Sequence, residues 1–286
     1  MAYDHNEKAG NQGDLIKHIV LLTAVDSILA TGKYSSTRPF RYCDTFAGYA
    51  FSPVLKGNEW KNGIGQLFDR REPDKPAILD EHLAGNEHVD LYCDFYFGKR
   101  PSFVGKTYPG SSLIVHDLCI RHGVKPEFSL WDISPGPIAN LMATYNGLGH
   151  RIHTSPAVHD TAEVIDADLV FIDPPKAPIK RDGALCWDDM IQFLKPHHEN
   201  FIFWLPIDFR KKDGEMIENT ERQREDALSK GLDVLVARWK PDENSIKTVG
   251  CQMFYRLDDS TKVNIESAVR HINRTLSWSL TFQRGS

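Results

Sequence analysis

Leu169-Val170-Phe171-Ile172 is an apolar run that ends in an acid, Asp173, and continues as Pro174-Pro175-Lys176. In an open α/β sheet, ligands bind at the carboxyl ends of the strands, so Asp173 stands where chemistry belongs. Proline has a fixed φ and cannot continue a sheet ladder, so the pair makes a rigid turn that aims neighbouring carbonyls. A carboxylate beside a rigid carbonyl is an acceptor pair for an exocyclic NH2. It can hold the amine and point its nitrogen at an electrophile. The bland alternative is a strand that simply ends at Asp-Pro.

Three other stretches carry polar groups at element ends. Asp44-Thr45-Phe46-Ala47-Gly48 follows a short apolar run, and a glycine there lets the backbone come close to a ligand. Trp131-Asp132 closes another run, where an acid can accept hydrogen bonds from ribose hydroxyls. His5 to His18 is a polar, glycine-containing stretch that feeds an amphipathic helix, with Asp14 and His18 four apart on one face. Read from these residues alone, this last stretch is a capped helix start bearing surface charges.

Other chemistries are disfavoured. GxGxxG and GxxxxGK[ST] are absent, which argues against a dinucleotide fingerprint and a P-loop. No GxSxG occurs, and Ser111-Ser112 have no evident His/Asp partners. His197-His198 point in different directions on a helix, and no spaced ligand set appears, so no metal is expected. The five cysteines form no CxxC and fit a reducing cytosol. Basic clusters stand at Arg70-Arg71, Lys176/Lys180/Arg181 and Arg210-Lys211-Lys212, and could face a polyanion.

These residues need a scaffold. Gly13 to Thr31 reads as a helix, with Leu15, Ile16, Ile19, Leu22, Val25, Ile28 and Leu29 at three- and four-residue steps. Strands are expected at 40–45, 127–133, 151–154, 167–172, 200–207, 232–239 and 250–257, with helices at 111–121, 137–145, 190–194, 217–230 and 261–276. Alternating strands and helices imply a mainly parallel sheet covered on both faces. From about 50 to 107 the alternation breaks, and the stretch reads as a helical insertion within a single domain spanning 1–286. The terminal Arg284-Gly285-Ser286 is given no weight.

The 41% hydrophobic and 26% charged shares are those of a globular chain and exclude a disordered or fibrous one. With 34 Lys+Arg against 39 Asp+Glu, the net charge is −5, so any nucleic-acid contact needs a local basic patch. No run of about 18 apolar residues predicts a membrane span. Met1 to Gly13 has no apolar h-region, so a cytoplasmic protein is expected.

Taken together, the stretches resemble the bacterial S-adenosylmethionine-dependent methyltransferases that modify N6 of an adenine in 23S ribosomal RNA. Four blocks carry the resemblance, in order, between about His5 and Asp258. They are His-x-x-x-Ala-Gly-Asn-x-x-Asp-x-x-Lys-His at His5–His18, Asp-Thr-x-Ala-Gly at Asp44–Gly48, Tyr-Pro-Gly-Ser at Tyr108–Ser111, and Ile-Asp-Pro-Pro at Ile172–Pro175. Trp204 and Pro206 match a further Trp-x-Pro.

The resemblance implies a Rossmann-like class I methyltransferase with a seven-stranded, mostly parallel sheet and an insertion after the first strand. It implies S-adenosylmethionine as cofactor and RNA, as protein-free 23S rRNA, as partner. His18 and Ser111 would contact the cofactor, with Lys17, Asp44, Phe46 and Gly48 beside it. Asp132 would hold the ribose. Asp173 would accept the target amine, in a catalytic turn with Pro174, Pro175 and Lys176.

Three departures stand out. Phe46 replaces a cofactor-contacting His. No Asp-Gly follows the third strand. Lys176 replaces the aromatic that stacks on the flipped base, a contact worth roughly 1–3 kcal/mol; Trp204 is a candidate substitute. The departures keep two alternatives open: a methyltransferase of small-molecule or peptide amines, and a non-catalytic relative.

Overall fold

The structure, a computed structural model, describes residues 9–52, 59–67, 85–94, 107–157, 161–174, 187–194, 200–212, 215–218, 221–239, 248–276 and 278–285. In chain order the elements are α1 (Gln12–Ala30), β1 (Phe40–Asp44), β2 (Phe51–Ser52), α2 (Glu87–Cys93), β3 (Tyr108–Pro109), α3 (Ser111–Arg121), β4 (Pro126–Trp131), α4 (Pro135–Thr144) and β5 (Arg151–His153). Then come α5 (Thr161–Ile165), β6 (Leu169–Ile172), α6 (Trp187–Leu194), β7 (Asn200–Lys212), β8 (Glu215–Glu218), α7 (Glu221–Ser229), β9 (Asp233–Arg238), β10 (Thr248–Arg256), α8 (Asp259–Leu276) and β11 (Ser279–Gln283).

The main sheet runs β11-β9-β10-β7-β6-β1-β4-β5. Five adjacent strands, β7-β6-β1-β4-β5, are parallel. The other edge is antiparallel, with β10 between β7 and β9 and β11 outermost. From β1 the chain builds outward through β4 and β5, then crosses back to lay β6 and β7 on the other side. That reversal makes β1 the switch point, and the crevice above its carboxyl end is where a doubly wound sheet binds ligands. The central strand β6 is buried at all four residues, as a parallel strand covered on both faces must be.

This is the Rossmann-like, mostly parallel architecture expected, and all seven expected strands are present. The count of seven is exceeded: β11 extends the edge, and β8 forms a hairpin with the far end of β7. β8 also takes Glu215–Glu218, so the helix expected from Ile217 starts at Glu221. The chain end is tied in rather than idle: Gly285 N donates to Asp233 Oδ1 at 3.1 Å, and Arg284 pairs with Asp233 and Glu266.

One face of the sheet packs on α1, α3 and α8, through residues such as Leu15, Ile19, Val115, Leu130, Phe171 and Ile265. The other packs on α5, α6 and α7, through Val164, Val170, Ile172, Met190 and Ala227. The amphipathic, surface-charged reading of the first helix is overturned: α1 is buried without a break from Gly13 to Val25. It is wedged between α3 and α8, so its polar residues are buried with its apolar ones.

Within the 50–107 stretch, the described residues form β2, two 3-10 turns (Glu59–Asn62 and Ile64–Leu67) and α2. The first turns pack on the loop before α1: Ile64 N donates to Gly10 O at 2.9 Å, and Gly63 lies so close that a Cβ would sit 2.1 Å from that same oxygen. Among the described residues, no helix is long and apolar enough to cross a membrane.

Candidate functional site

The start of α1 is built by its own sequence. Asn11 caps the helix, accepting from Asp14 N at 3.0 Å, and Asp14 Oδ2 reaches back to accept from Gly10 N at 2.7 Å. Such reciprocal capping satisfies backbone donors that a helix start leaves open. Gly10 has φ +81°, a left-handed conformation that suits glycine.

Asp14 also anchors Lys17. The ammonium is 2.7 Å from Asp14 Oδ1 and 2.5 Å from Asp173 Oδ2. Lys17 is 5% exposed. Burial alone would lower its pKa, but the two carboxylates outweigh it and hold the group well above the usual lysine range. A cation therefore sits between two acids, one from the first turn of α1 and one from the end of β6.

Next along the helix, His18 Nδ1 lies 2.9 Å from the Tyr108 hydroxyl, and the two rings stack with centroids 5.5 Å apart. Tyr108 and Pro109 form β3, which delivers Ser111 to the first turn of α3. Ser111 Oγ donates to Asp44 Oδ2 at 2.5 Å, and the Tyr42 hydroxyl donates to the same oxygen at 3.0 Å. Phe46 N donates to Asp44 Oδ1 at 3.2 Å. Asp44 is fully buried, and that burial pushes its pKa up to about 7 against the pull of these donors, with Asp173 adding repulsion.

The loop after β1 spans the neighbouring strand ends. Thr45 N donates to Phe171 O, and Ala47 N to Trp131 O. Gly48, at φ +59°, donates its N–H to Asp132 Oδ2 at 3.1 Å. Asp132 Oδ1 accepts from Ser134 N at 2.7 Å. A Cβ at Gly48 would meet nothing closer than Phe46 O at 4.0 Å, so that side of the loop is open. Phe46 packs against the apolar cluster on the α5–α7 side. Next to Asp132, Ile133 is 68% exposed, a large apolar side chain at the crevice.

Lys17, His18, Asp44, Phe46, Gly48, Ser111, Asp132, Asp173 and Pro174 thus lie at one end of the sheet. Direct contacts join Lys17 to Asp173, Ser111 to Asp44 and Gly48 to Asp132. Pro175 and Lys176 lie outside the described residues, as do the basic groups Arg70, Arg71, Lys180 and Arg181. Sequence reasoning missed Asp14 as a partner of Lys17, and Tyr42 and Tyr108 as partners of Asp44 and His18. The signal for Asp14 was the long Ala-Gly-Asn-x-x-Asp-x-x-Lys-His block itself. Among the described residues, no group of three or more His, Cys, Asp or Glu is arranged to hold a metal ion.

No protein-family model matches the chain. Two curated proteins, both named ribosomal RNA large subunit methyltransferase J, are similar to it. That of Haemophilus influenzae is 31% identical over 123 residues, 41% of this chain and 38% of that protein. That of Escherichia coli is 23% identical over 232 residues, 77% of this chain and 75% of that protein. The chain thus spans little more than a third of the first relative's length and three quarters of the second's. The crystal structure of a Legionella pneumophila protein, described by the family model DUF519, aligns with a TM-score of 0.68 over 97% of this chain and 98% of that one. At 17% identity, that likeness is one of fold.

Proposed function

We propose that this chain is an S-adenosylmethionine-dependent methyltransferase that methylates N6 of an adenine in large-subunit ribosomal RNA, working in the cytoplasm as a single domain with the 50–107 stretch inserted after its first strand. The observation that carries the reading is Asp173, fixed by Lys17 at the end of β6 and followed by the two prolines. The two rRNA methyltransferases named above support the substrate class.

The crevice fits the cofactor by its donor set. Asp132 offers carboxylate lone pairs to ribose hydroxyls, and exposed Ile133 beside it offers an apolar surface to a flat ring. Open Gly48 lets the backbone come close, and Asp44 offers a carboxylate to an ammonium. Ser111 and His18 complete the wall through Asp44 and Tyr108. When bound, S-adenosylmethionine supplies an electrophilic methyl group.

The rest of the work falls to the chain. An exocyclic adenine nitrogen is a poor nucleophile, because its lone pair is delocalised into the ring. The target base must leave any stack to be reached. Asp173 and the Pro174 carbonyl accept the two amine hydrogens, which draws the lone pair toward the nitrogen and aims it. Lys17 holds Asp173 in place, and no covalent enzyme intermediate is needed. Lys176 follows the turn in sequence.

The test is transfer of labelled methyl from S-adenosylmethionine to protein-free large-subunit rRNA, with wild type and Asp173→Ala side by side. Label recovered as N6-methyladenine with wild type alone is the expected result. Equal label with Asp173→Ala would overturn the mechanism. Label found on small amines and not on RNA would overturn the substrate.

A further inference from the structure

Beside the Asp173–Lys17 pair lies an aromatic ring that the methyl-transfer chemistry does not itself require. In the parallel register of β6 and β7, Ile172 is opposite Phe203. One step further along both strands, Trp204 stands alongside Asp173. The same ammonium that is 2.5 Å from Asp173 Oδ2 lies 5.4 Å from the centre of the Trp204 indole. The ring centre and the carboxylate are therefore both within reach of a single purine.

The ring is held in place. A Cβ on Gly13 of α1 would come within 2.9 Å of Trp204 Cζ2, so the helix backbone packs directly on the benzo edge. The indole Nε1 is buried, yet the residue as a whole is only partly buried. With the indole nitrogen buried, what Trp204 presents toward the Asp173–Lys17 pair is ring carbon, beside a crevice otherwise lined by acids and a lysine. Phe46, another partly buried aromatic near the strand ends, packs into the cluster on the opposite face of the sheet. The residue after Asp-Pro-Pro is Lys176, which has no π-face at all.

Flat, apolar, rigid and next to the proposed amine acceptor, this surface has the properties of a stacking platform for an extruded base. We infer that Trp204 binds the target base by stacking, supplying from β7 the contact that Lys176 cannot supply. This rests on the reading of the site as an adenine N-methyltransferase. In that role Trp204 is a specificity residue: it selects a planar aromatic amine over an aliphatic one.

The experiment compares wild type, Trp204→Leu and Trp204→Phe. Steady-state methyl transfer to protein-free large-subunit rRNA gives kcat and KM. Quenching of 2-aminopurine ribonucleoside monophosphate, titrated in the presence of S-adenosylhomocysteine, reports stacking on an aromatic ring. Base–aromatic stacking sets the expected scale, a loss of about ten- to a hundredfold in nucleotide affinity and a matching rise in KM for Trp204→Leu. Trp204→Phe, which keeps a π-face, should recover most of both, and cofactor affinity should be unchanged in either variant. Unchanged KM and quenching in Trp204→Leu would overturn the inference while leaving the proposed function standing. Equal loss in Trp204→Phe and Trp204→Leu, with lowered cofactor affinity in both, would also overturn it, since the ring would then serve only packing. A wild type that binds cofactor but neither labels rRNA nor quenches the probe would overturn the function and this inference with it.

Discussion

Lys17 Nζ lies 2.5 Å from Asp173 Oδ2, a bond between the first turns of the first helix and the end of the sixth strand, 156 residues apart in sequence. Asp14 holds the same ammonium from the other side at 2.7 Å. All three side chains are largely withdrawn from water, so each depends on the others. Lys17→Met leaves two buried carboxylates facing one another without a cation. Breaking a buried pair from one side costs roughly 3–5 kcal/mol. Chemical denaturation should show a loss of that order for Lys17→Met, and a smaller one for Asp14→Asn with Lys17→Met, because one stranded charge is then gone. Additive losses in the double variant would show that the three groups do not act as a unit.

Asp44 gives the fold a pH signature. Its pKa is pushed up to about 7 by burial, above the ordinary carboxylate value of about 3.9. The folded state then binds a proton that the unfolded state has already lost. The stability this group contributes is full below about pH 4 and is lost as pH rises toward 7. Wild-type stability relative to Asp44→Asn should therefore fall by a few kcal/mol across that window. Calorimetric or denaturant midpoints for the pair at several pH values measure it. A constant difference from pH 4 to 8 would contradict the assignment. If Asp44 takes the ammonium of S-adenosylmethionine as proposed, affinity for the cofactor should move the other way and rise as the carboxylate forms.

His150 works in the opposite sense on the far side of the same region. Its ring stacks on Phe128 with centroids 4.5 Å apart and meets His116 at 5.9 Å. Burial, then repulsion from His116, lowers its pKa to about 4. It is neutral in the folded state where the unfolded chain begins to protonate. The stability it contributes is present above about pH 6.5 and is lost as pH falls toward 4. His150→Phe should flatten that acid limb. An unchanged acid limb in thermal melts at pH 4 to 7 would count against it.

Gly110 joins the 50–107 stretch to the wall of the proposed cofactor crevice. Its N–H donates to Ala50 O at 2.7 Å, and a Cβ there would lie 2.1 Å from the Tyr49 carbonyl oxygen. The obstacle is backbone, so neither side can give way. Gly110→Ala should separate β2 from β3 and displace Ser111 from Asp44. Overpacking of this kind costs about 1–3 kcal/mol, seen as a lower Tm together with weaker cofactor binding. Wild-type cofactor affinity in Gly110→Ala would show that Ser111 is positioned independently of the insertion.

How much of this was legible beforehand follows from which contacts are local. The seven expected strands, five of them in the parallel part of the sheet, were readable as short apolar runs closed by turn residues. Asp173, Asp44 and Asp132 were readable as acids at strand ends. β8 and β11 were not, since a hairpin arm and an edge strand have weak patterns of their own and form by pairing with a neighbour.

The first helix divides the two kinds of information most sharply. Its span and its Asn11 cap are local, set by apolar spacing and by a side chain three residues from the amide it serves. Its burial is not local. The spacing of α1 predicts one apolar face, but α3 and α8 close over the rest, turning Asp14, Lys17 and His18 from surface charges into the interior of the site. The sequence by itself thus determined the alternation of elements, the doubly wound class and the chemical types at the strand ends. Only the tertiary structure decided that Lys17 meets Asp173, that Ser111 meets Asp44 and that Trp204 stands beside them. The two hydrogen-bonded pairs are 156 and 67 residues apart, and only the packing of α1 and α3 on the ordered sheet brings them within reach.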